Sequence, residues 1–349
     1  MSDPFPSLPK APSDVSWPSR EWQRADLADH VDRASLNILI QDAFGDAPDA
    51  RLGDTFATLV IQGGKIVYER YGVDRGPTDT FHSWSMAKSI THALAGILVK
   101  HNRLDIHEPA NVPEWKQPDD PRAVITLDQL LRMSGGLKFN ENYVDGETSD
   151  TIEMLWGSGK DDTAHFAASM PLEHAPDTHC SYSSGTTNIV CRLLAQAIGK
   201  YGPDFEAWMR TSLFDPIGMS SPIPKFDAAG SFIGSSFCFC TAEDFARFGL
   251  LYLRDGVCDG TRLLPKGWVD YARTPTPNQP DELLGYGAHF WLGLAGPGTF
   301  SANGYDGQRL LVVPEDDLVI VRLGQSPLEE AERLNDWVAD LAACFKRPG

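Results

Sequence analysis

No stretch of this chain approaches the roughly 18 consecutive apolar residues that a membrane span requires, and its start, MSDPFPSLPK, has no apolar run behind a basic end. A cytoplasmic protein without a membrane partner is the expectation. Cysteine is scarce, six residues in 349 at positions 180, 191, 238, 240, 258 and 344, with no C-x-x-C pair. Reduced, buried thiols fit that scatter better than disulfides or zinc, and Cys238-Phe239-Cys240 reads as strand alternation. Basic side chains number 30 against 48 acidic ones, a net charge of −18, so nucleic acid and anionic lipid are repelled at long range. Also missing are a G-x-S-x-G elbow, an H-E-x-x-H pair, a Walker loop and a G-x-G-x-x-G turn. The nine histidines stand outside metal-ligand spacing. Neither metal nor cofactor is expected, and His82 and His289 read as structural.

What is present is ordinary globular usage, 42% hydrophobic and 22% charged, in a chain longer than one core usually fills. Residues 1–30, rich in proline and charge, read as a surface extension anchored by Trp17 and Trp22. Phe56 to Ile61, Gly63-Gly64 and Ile66 to Tyr68 spell an antiparallel hairpin. From Ser85 to His101 the spacing of Ile90, Leu94, Ile97 and Leu98 predicts a core helix with Ser85 and Lys88 in its first turn. Residues 106–240 are turn-rich around helical pieces at Thr126–Met133 and Thr187–Ile198. Thr241 opens a capped helix faced by Phe245, Phe248, Leu251 and Tyr252. The runs 290–292, 310–313 and 318–321 suit antiparallel strands, and Leu334, Trp337, Val338 and Leu341 mark a closing helix over 331–345. The expected organisation is a sheet domain of residues 31–105 and 241–349, a mainly helical domain of 106–240, and a site between them.

Ser85-Met86-Ala87-Lys88 carries the chemistry. On a helix, positions i and i+3 share a face about 5–6 Å apart, so a neutral lysine can take the serine proton. For that the lysine must fall from about 10.4 towards 7–8, about 3–5 kcal/mol of disfavoured charge, which takes an enclosed site. Free N–H groups at the helix start can then hold a developing oxyanion. The spacing alone is cheap, since Ser7-Leu8-Pro9-Lys10 repeats it among prolines. The plain alternative is a capping Ser85 and a lysine reaching solvent. Two further elements are Tyr182-Ser183-Ser184-Gly185, where a tyrosine could relay a proton, and Ala302-Asn303-Gly304, read as a turn before the strand at Leu310, where glycine lets substrate approach the backbone.

In that order, Ser-x-x-Lys, Tyr-x-Ser and small-x-Gly, the chain resembles the serine β-lactamase and penicillin-binding superfamily from about residue 50 to 325. Leu130 to Leu137, Thr241 to Gly249 and Leu263 to Trp268 add to the likeness. The resemblance implies an α+β fold, a β-lactamase/transpeptidase-like antiparallel sheet flanked by helices with a mainly helical inserted domain. It further implies Ser85 as nucleophile, Lys88 as its base, and Tyr182 as the acid and base at the leaving group. The backbone N–H groups of Ser85 and Tyr305 would form the oxyanion hole, with Ser184 beside the lysine and Asn303 and Gly304 along the substrate. Where relatives have Lys-Thr-Gly, Ala302 stands here, so a cation that reads a substrate carboxylate is missing unless Arg309 compensates. That absence, with the loop Phe139 to Asp145, looks most like the 6-aminohexanoate-dimer hydrolase and carboxylesterase branch. There a loop tyrosine, at the position of Tyr143, contacts the scissile amide. Trp84 lines the pocket or packs the core.

The function expected is thus a serine hydrolase cleaving small esters or amides through an acyl-enzyme on Ser85. A β-lactamase or D-amino-acid peptidase is one alternative, and a non-catalytic ligand-binding or sensor protein on the same fold is another. The partner is a small ester or amide, and the sequence leaves a homodimer open.

Overall fold

The computed structural model describes residues 5–143, 148–279 and 284–348. After the N-terminal segment, α1 (Arg33–Phe44) starts where Asp32 accepts the backbone N–H groups of Ala34 and Ser35. It leads to β1 (Asp54–Gln62) and β2 (Lys65–Tyr71), joined across Gly63 and Gly64, both at positive φ. β3 (Phe81–His82) and a 3-10 turn over Trp84–Met86 precede α2 (Ala87–Lys100).

Short helices follow: α3 (Leu127–Leu131), closed by a reciprocal Thr126/Gln129 capping box, α4 (Asp150–Trp156) and α5 (Thr163–Ala168). The long α6 (Ser184–Ile198) comes next, then α7 (Pro203–Met209). β4 (Ile223–Pro224) and β5 (Cys238–Cys240) join β3 in a small sheet of order β3-β5-β4. In β5 both cysteines are buried and Phe239 between them is half-buried, the alternation a strand imposes.

The chain then forms α8 (Ala242–Leu253), the hairpin β6 (Val257–Cys258) and β7 (Thr261–Arg262), and α9 (Trp268–Ala272). β8 (Gly285–Tyr286), β9 (Trp291–Leu292), β10 (Phe300–Gly304), β11 (Gln308–Val313) and β12 (Leu318–Gln325) lead to α10 (Ala331–Ala343).

The principal sheet is antiparallel, in the order β2-β1-β12-β11-β10-β9-β8, so β12 returns to pair with β1. Both of its faces are covered. Val60, Leu311, Val313 and Ile320 pack against α1 and α10, including Leu36, Trp337 and Leu341. Their neighbours Leu59, Ile61, Leu310, Val312 and Val321 join a second core that runs through α8 and α2 to α6. Burial on both sides explains why Leu310-Leu311-Val312-Val313 is apolar throughout instead of alternating.

Several helix ends differ from the sequence reading. α6 begins at Ser184, three residues before Thr187, because the Ser183 hydroxyl accepts the Thr186 N–H and caps it there. α3 stops at Leu131, short of Met133, whose φ of 58° cannot continue a helix. Strand β9 likewise starts at Trp291, after His289 at φ 58°. The N-terminal segment is pinned across the fold: Trp17 Nε1 donates to Ile217 O at 3.0 Å, and Arg247 Nε donates to Pro18 O at 2.8 Å. Trp22 is buried under the Arg247 guanidinium. Among the described residues no helix is long and apolar enough to cross a membrane.

Candidate active site

Ser85 lies in the 3-10 turn over Trp84–Met86, and the regular helix starts only at Ala87, two residues later than the apolar spacing suggests. The cause is Trp84, whose φ of 44° is a left-handed conformation that a bulky side chain holds at a cost of about 1–3 kcal/mol. The surroundings enforce it. Ser83, wholly buried, accepts the Cys238 N–H at 3.0 Å and has the Ser236 carbonyl at 3.2 Å, tying the turn to β5.

Lys88 follows in the first turn of α2 and is 1% exposed. Its Nζ makes three hydrogen bonds, to Ser85 Oγ at 2.9 Å, Ser184 Oγ at 2.9 Å and Ser235 O at 3.0 Å. The reading of a lysine that reaches solvent is therefore incorrect. Burial lowers Lys88 from its ordinary 10.5 to about 8, while Glu141 opposes the fall. Such an amine is partly neutral at physiological pH.

Tyr182 covers the lysine: Nζ sits 4.7 Å from its ring centroid, and its phenol is within hydrogen-bonding reach of Ser85. Burial, and then the negative charge of Glu141, push the phenol well above its ordinary value, so it stays protonated. The ring is held by Tyr286 and Trp291, with centroids 5.5 and 5.1 Å away. The third element arrives on a strand, correcting the expectation of a turn: Ala302 to Gly304 end β10, and the turn Tyr305–Gly307 follows. A Cβ on Gly304 would stand 2.4 Å from Ser83 O, so this residue must be glycine for β10 to reach the turn that carries Ser85. Its φ of −122° is ordinary; the requirement is room. Arg322 Nη1 donates to Gly307 O at 3.0 Å and fixes the turn behind it.

The remaining candidates divide. Trp84 stacks on His82 at 3.9 Å and meets Tyr305 at 5.3 Å and Trp156 at 6.4 Å, the last being 54% exposed. Trp84 also hydrogen-bonds the Asp306 carboxylate. Tyr143 lies 5.2 Å from Tyr305, whereas Val144 and Asp145 of the same loop fall outside the described residues. Asn303 is the exception. Strand alternation turns it from the face of Ala302 to that of its cross-strand partner Arg309, with Oδ1 buried and without a hydrogen-bond partner.

Arg309 does not replace the missing cation. It is buried on the α10 side, donating to Asn335 Oδ1 at 3.0 Å, Gln308 O at 3.0 Å and Gly304 O at 3.3 Å. His289 is a buried prop: it contacts Leu131 O at 2.7 Å and Thr187 Oγ1 at 3.1 Å, and burial drops it to about 3.

Two participants escaped the sequence reading. Ser235 supplies only a carbonyl, which no side-chain pattern can announce. Glu141 lies in the loop with Tyr143 and takes the Ser184 N–H at 2.7 Å, the Ser184 hydroxyl at 2.5 Å and the Thr151 hydroxyl at 2.9 Å, and the Tyr143 phenol as well. A lone acidic residue among three polar neighbours in Asn140 to Tyr143 was the available signal.

A family model described as Beta-lactamase matches residues 42–345. The 6-aminohexanoate-dimer hydrolase of Paenarthrobacter ureafaciens is 26% identical over 295 residues, covering 78% of this chain and 73% of that protein. A Bacillus anthracis structure assigned by name to the 6-aminohexanoate-dimer hydrolases superposes with a TM-score of 0.74 at 21% identity, covering 97% of this chain and 90% of that one. A family VIII carboxylesterase superposes with a TM-score of 0.66 at 13% identity, covering 92% and 99%. The last two likenesses establish the β-lactamase/transpeptidase-like α+β fold, and the match over most of the chain places this protein in the beta-lactamase family.

Proposed function

We propose that this protein is a serine hydrolase that cleaves small esters or amides through an acyl-enzyme on Ser85. One observation carries the reading: a lysine 1% exposed, with burial lowering it to about 8, lies 2.9 Å from the serine hydroxyl. In its neutral form Lys88 takes the Ser85 proton as Oγ attacks the substrate carbonyl. The Ser85 and Tyr305 N–H groups receive the oxyanion, and the protonated Tyr182 phenol gives its proton to the leaving alcohol or amine. Water then attacks the acyl-enzyme and returns free Ser85. Gly304 gives the backbone room beside the nucleophile, while Tyr143 and Trp84 line the substrate.

The substrate class follows from what faces Ser85. Ala302 is buried and uncharged, and Arg309 is engaged on the far side of the sheet, so neither reads a carboxylate as β-lactam and peptidoglycan substrates require. A relative bears the name 6-aminohexanoate-dimer hydrolase, and a neighbour in fold is a carboxylesterase. The carboxylesterase name fits an uncharged reader and an aromatic wall. The test is a fluorophosphonate probe followed by a panel of p-nitrophenyl esters, linear amides including the 6-aminohexanoate dimer, and nitrocefin. Labelling at Ser85 with ester or amide turnover is expected. No label at Ser85 would end the proposal, nitrocefin turnover matching the esters would move it to the β-lactamases, and acylation without turnover would make the protein a sensor.

A further inference from the structure

Lys88 has three hydrogen-bond partners, but the amine that acts as a base has only two N–H bonds and one lone pair. Which partner meets the lone pair decides whether the base faces the nucleophile. Ser235 O is a carbonyl and can only accept, so it takes one N–H. Ser184 Oγ has a single hydrogen, and at 2.5 Å from Glu141 Oε1 that hydrogen belongs to the carboxylate. Ser184 must therefore accept from Lys88, which occupies the second N–H. Only Ser85 Oγ is left for the lone pair.

Glu141 is itself fully committed. Its two oxygens receive four donors, the Ser184 N–H and the hydroxyls of Ser184, Thr151 and Tyr143, which matches the four lone-pair positions of an ionised carboxylate. No acceptor position remains to activate a water, which separates it from a deacylating base. We propose that Glu141 is a positioning residue: by holding the Ser184 proton it makes Lys88 donate to Ser184 and Ser235 and aims the amine lone pair at Ser85. The inference rests on Ser85 being the nucleophile. When Ser85 loses its proton, the O–H bond breaks as an N–H forms on Lys88, and the new ammonium keeps its donors to Ser184 and Ser235 while its charge faces Glu141.

Among the described residues, the groups facing this pair are Tyr143 on the same loop, Tyr182 before α6, Cys191 on α6, Tyr286 on β8 and His289. Burial holds the three phenols above their ordinary value, pushes Cys191 up to about 12 and drops His289 to about 3. All are neutral where Lys88 titrates. Among the described residues Glu141 is then the carboxylate whose charge favours the ammonium.

The experiment measures the second-order rate of Ser85 labelling by a fluorophosphonate probe from pH 5.5 to 9.5 in the full chain, for the native protein, Glu141→Gln, Glu141→Asp and Ser184→Ala. The native rate should rise through a midpoint near 8. Glu141→Gln should move that midpoint down by about one unit or more, because an opposite charge within about 6 Å is lost, and lower the plateau about tenfold or more. Glu141→Asp keeps the charge but not the reach: its midpoint should stay within about half a unit of native while the plateau falls. In the Ser184→Ala background Glu141→Gln should change the plateau less than about twofold, since the relay is already broken. A Glu141→Gln midpoint and plateau equal to native would overturn the assignment, and if that variant does not fold, an unchanged Glu141→Asp plateau would do so. Absence of labelling in the native protein would instead remove the nucleophile reading beneath it.

Discussion

Replacing Lys88 with alanine should abolish most activity without abolishing the fold, and the size of the loss can be worked from the site. At pH 7 a lysine that titrates near 8 is neutral in about one molecule in ten, against about one in 3,000 at the ordinary 10.5, so enclosure alone raises the supply of base about 300-fold. Removing the base altogether forfeits the general-base contribution, about 10²–10⁴ in rate. Ser184 Oγ and Ser235 O also lose a donor, while Ser83 and Gly304 still hold the Ser85 turn against β5 and β10. The assay is hydrolysis of a short-chain p-nitrophenyl ester from pH 6 to 10. The native rate should climb through a limb near 8, and Lys88→Ala should lie at least about 100-fold lower with that limb gone. Lys88→Arg keeps the charge but cannot deprotonate in this range, so it should be as inactive as alanine. Tyr182→Phe should lose no more than Lys88→Ala. Near-native rates for either lysine variant, or a surviving limb near 8 in Lys88→Ala, would refute lysine as the activator.

Other outcomes can be checked independently. Gly304→Ala puts a methyl 2.4 Å from Ser83 O, so β10 must retreat; a stability loss of about 1–3 kcal/mol in urea melts and a fall in kcat are expected, and unchanged kcat would mean that the close approach is dispensable. Glu114 holds the Arg192 guanidinium at 2.6 Å beneath α6, with side chains 14% and 10% exposed; Glu114→Gln should lower stability by about 3 kcal/mol in denaturant titration, and a change under about 1 kcal/mol would contradict a buried pair. Lys88 also makes stability depend on pH. Below about 8 the ammonium is present in the folded and unfolded chain alike, and its burial costs the fold about 3 kcal/mol; between about 8 and 10.5 the unfolded chain binds more protons, so stability rises with pH. The Tm difference between native protein and Lys88→Met should therefore shift in favour of the native from pH 8 to 10, and a constant difference would count against a depressed lysine.

Features that rest on nearby residues were legible before the structure. Thr241 announces α8 because its hydroxyl accepts an N–H three residues on and the apolar face follows within the same twelve-residue helix. The three motif elements were legible because each keeps its residue types together. The start of α2 was not, since the left-handed turn at Trp84 is imposed by β5 and β10, which lie far along the chain. Glu141 was hidden for the same reason: its partner Ser184 is 43 residues away, and nothing local tells a carboxylate in a polar loop that it will be enclosed. Arg309 was misjudged because one position along a strand decides which face a side chain serves, and its neighbours Leu310 and Leu311 are equally apolar.

The pairing of β1 with β12 has a consequence for how the protein is made. Residues 54–62 pair with β2 at once but find their second partner only when residues 318–325 exist, so the middle of the sheet closes last as the chain leaves the ribosome. Ser85 and Lys88 emerge early, but Ser235 and the β10 segment that borders Ser83 come much later. Under the proposed mechanism a nascent chain would carry Ser85 and Lys88 without the enclosure that lowers the lysine, and would stay inert while still being synthesised. Hydrolytic activity would then report completed folding more sharply than helix content does, because α2 can form long before the sheet that makes it reactive.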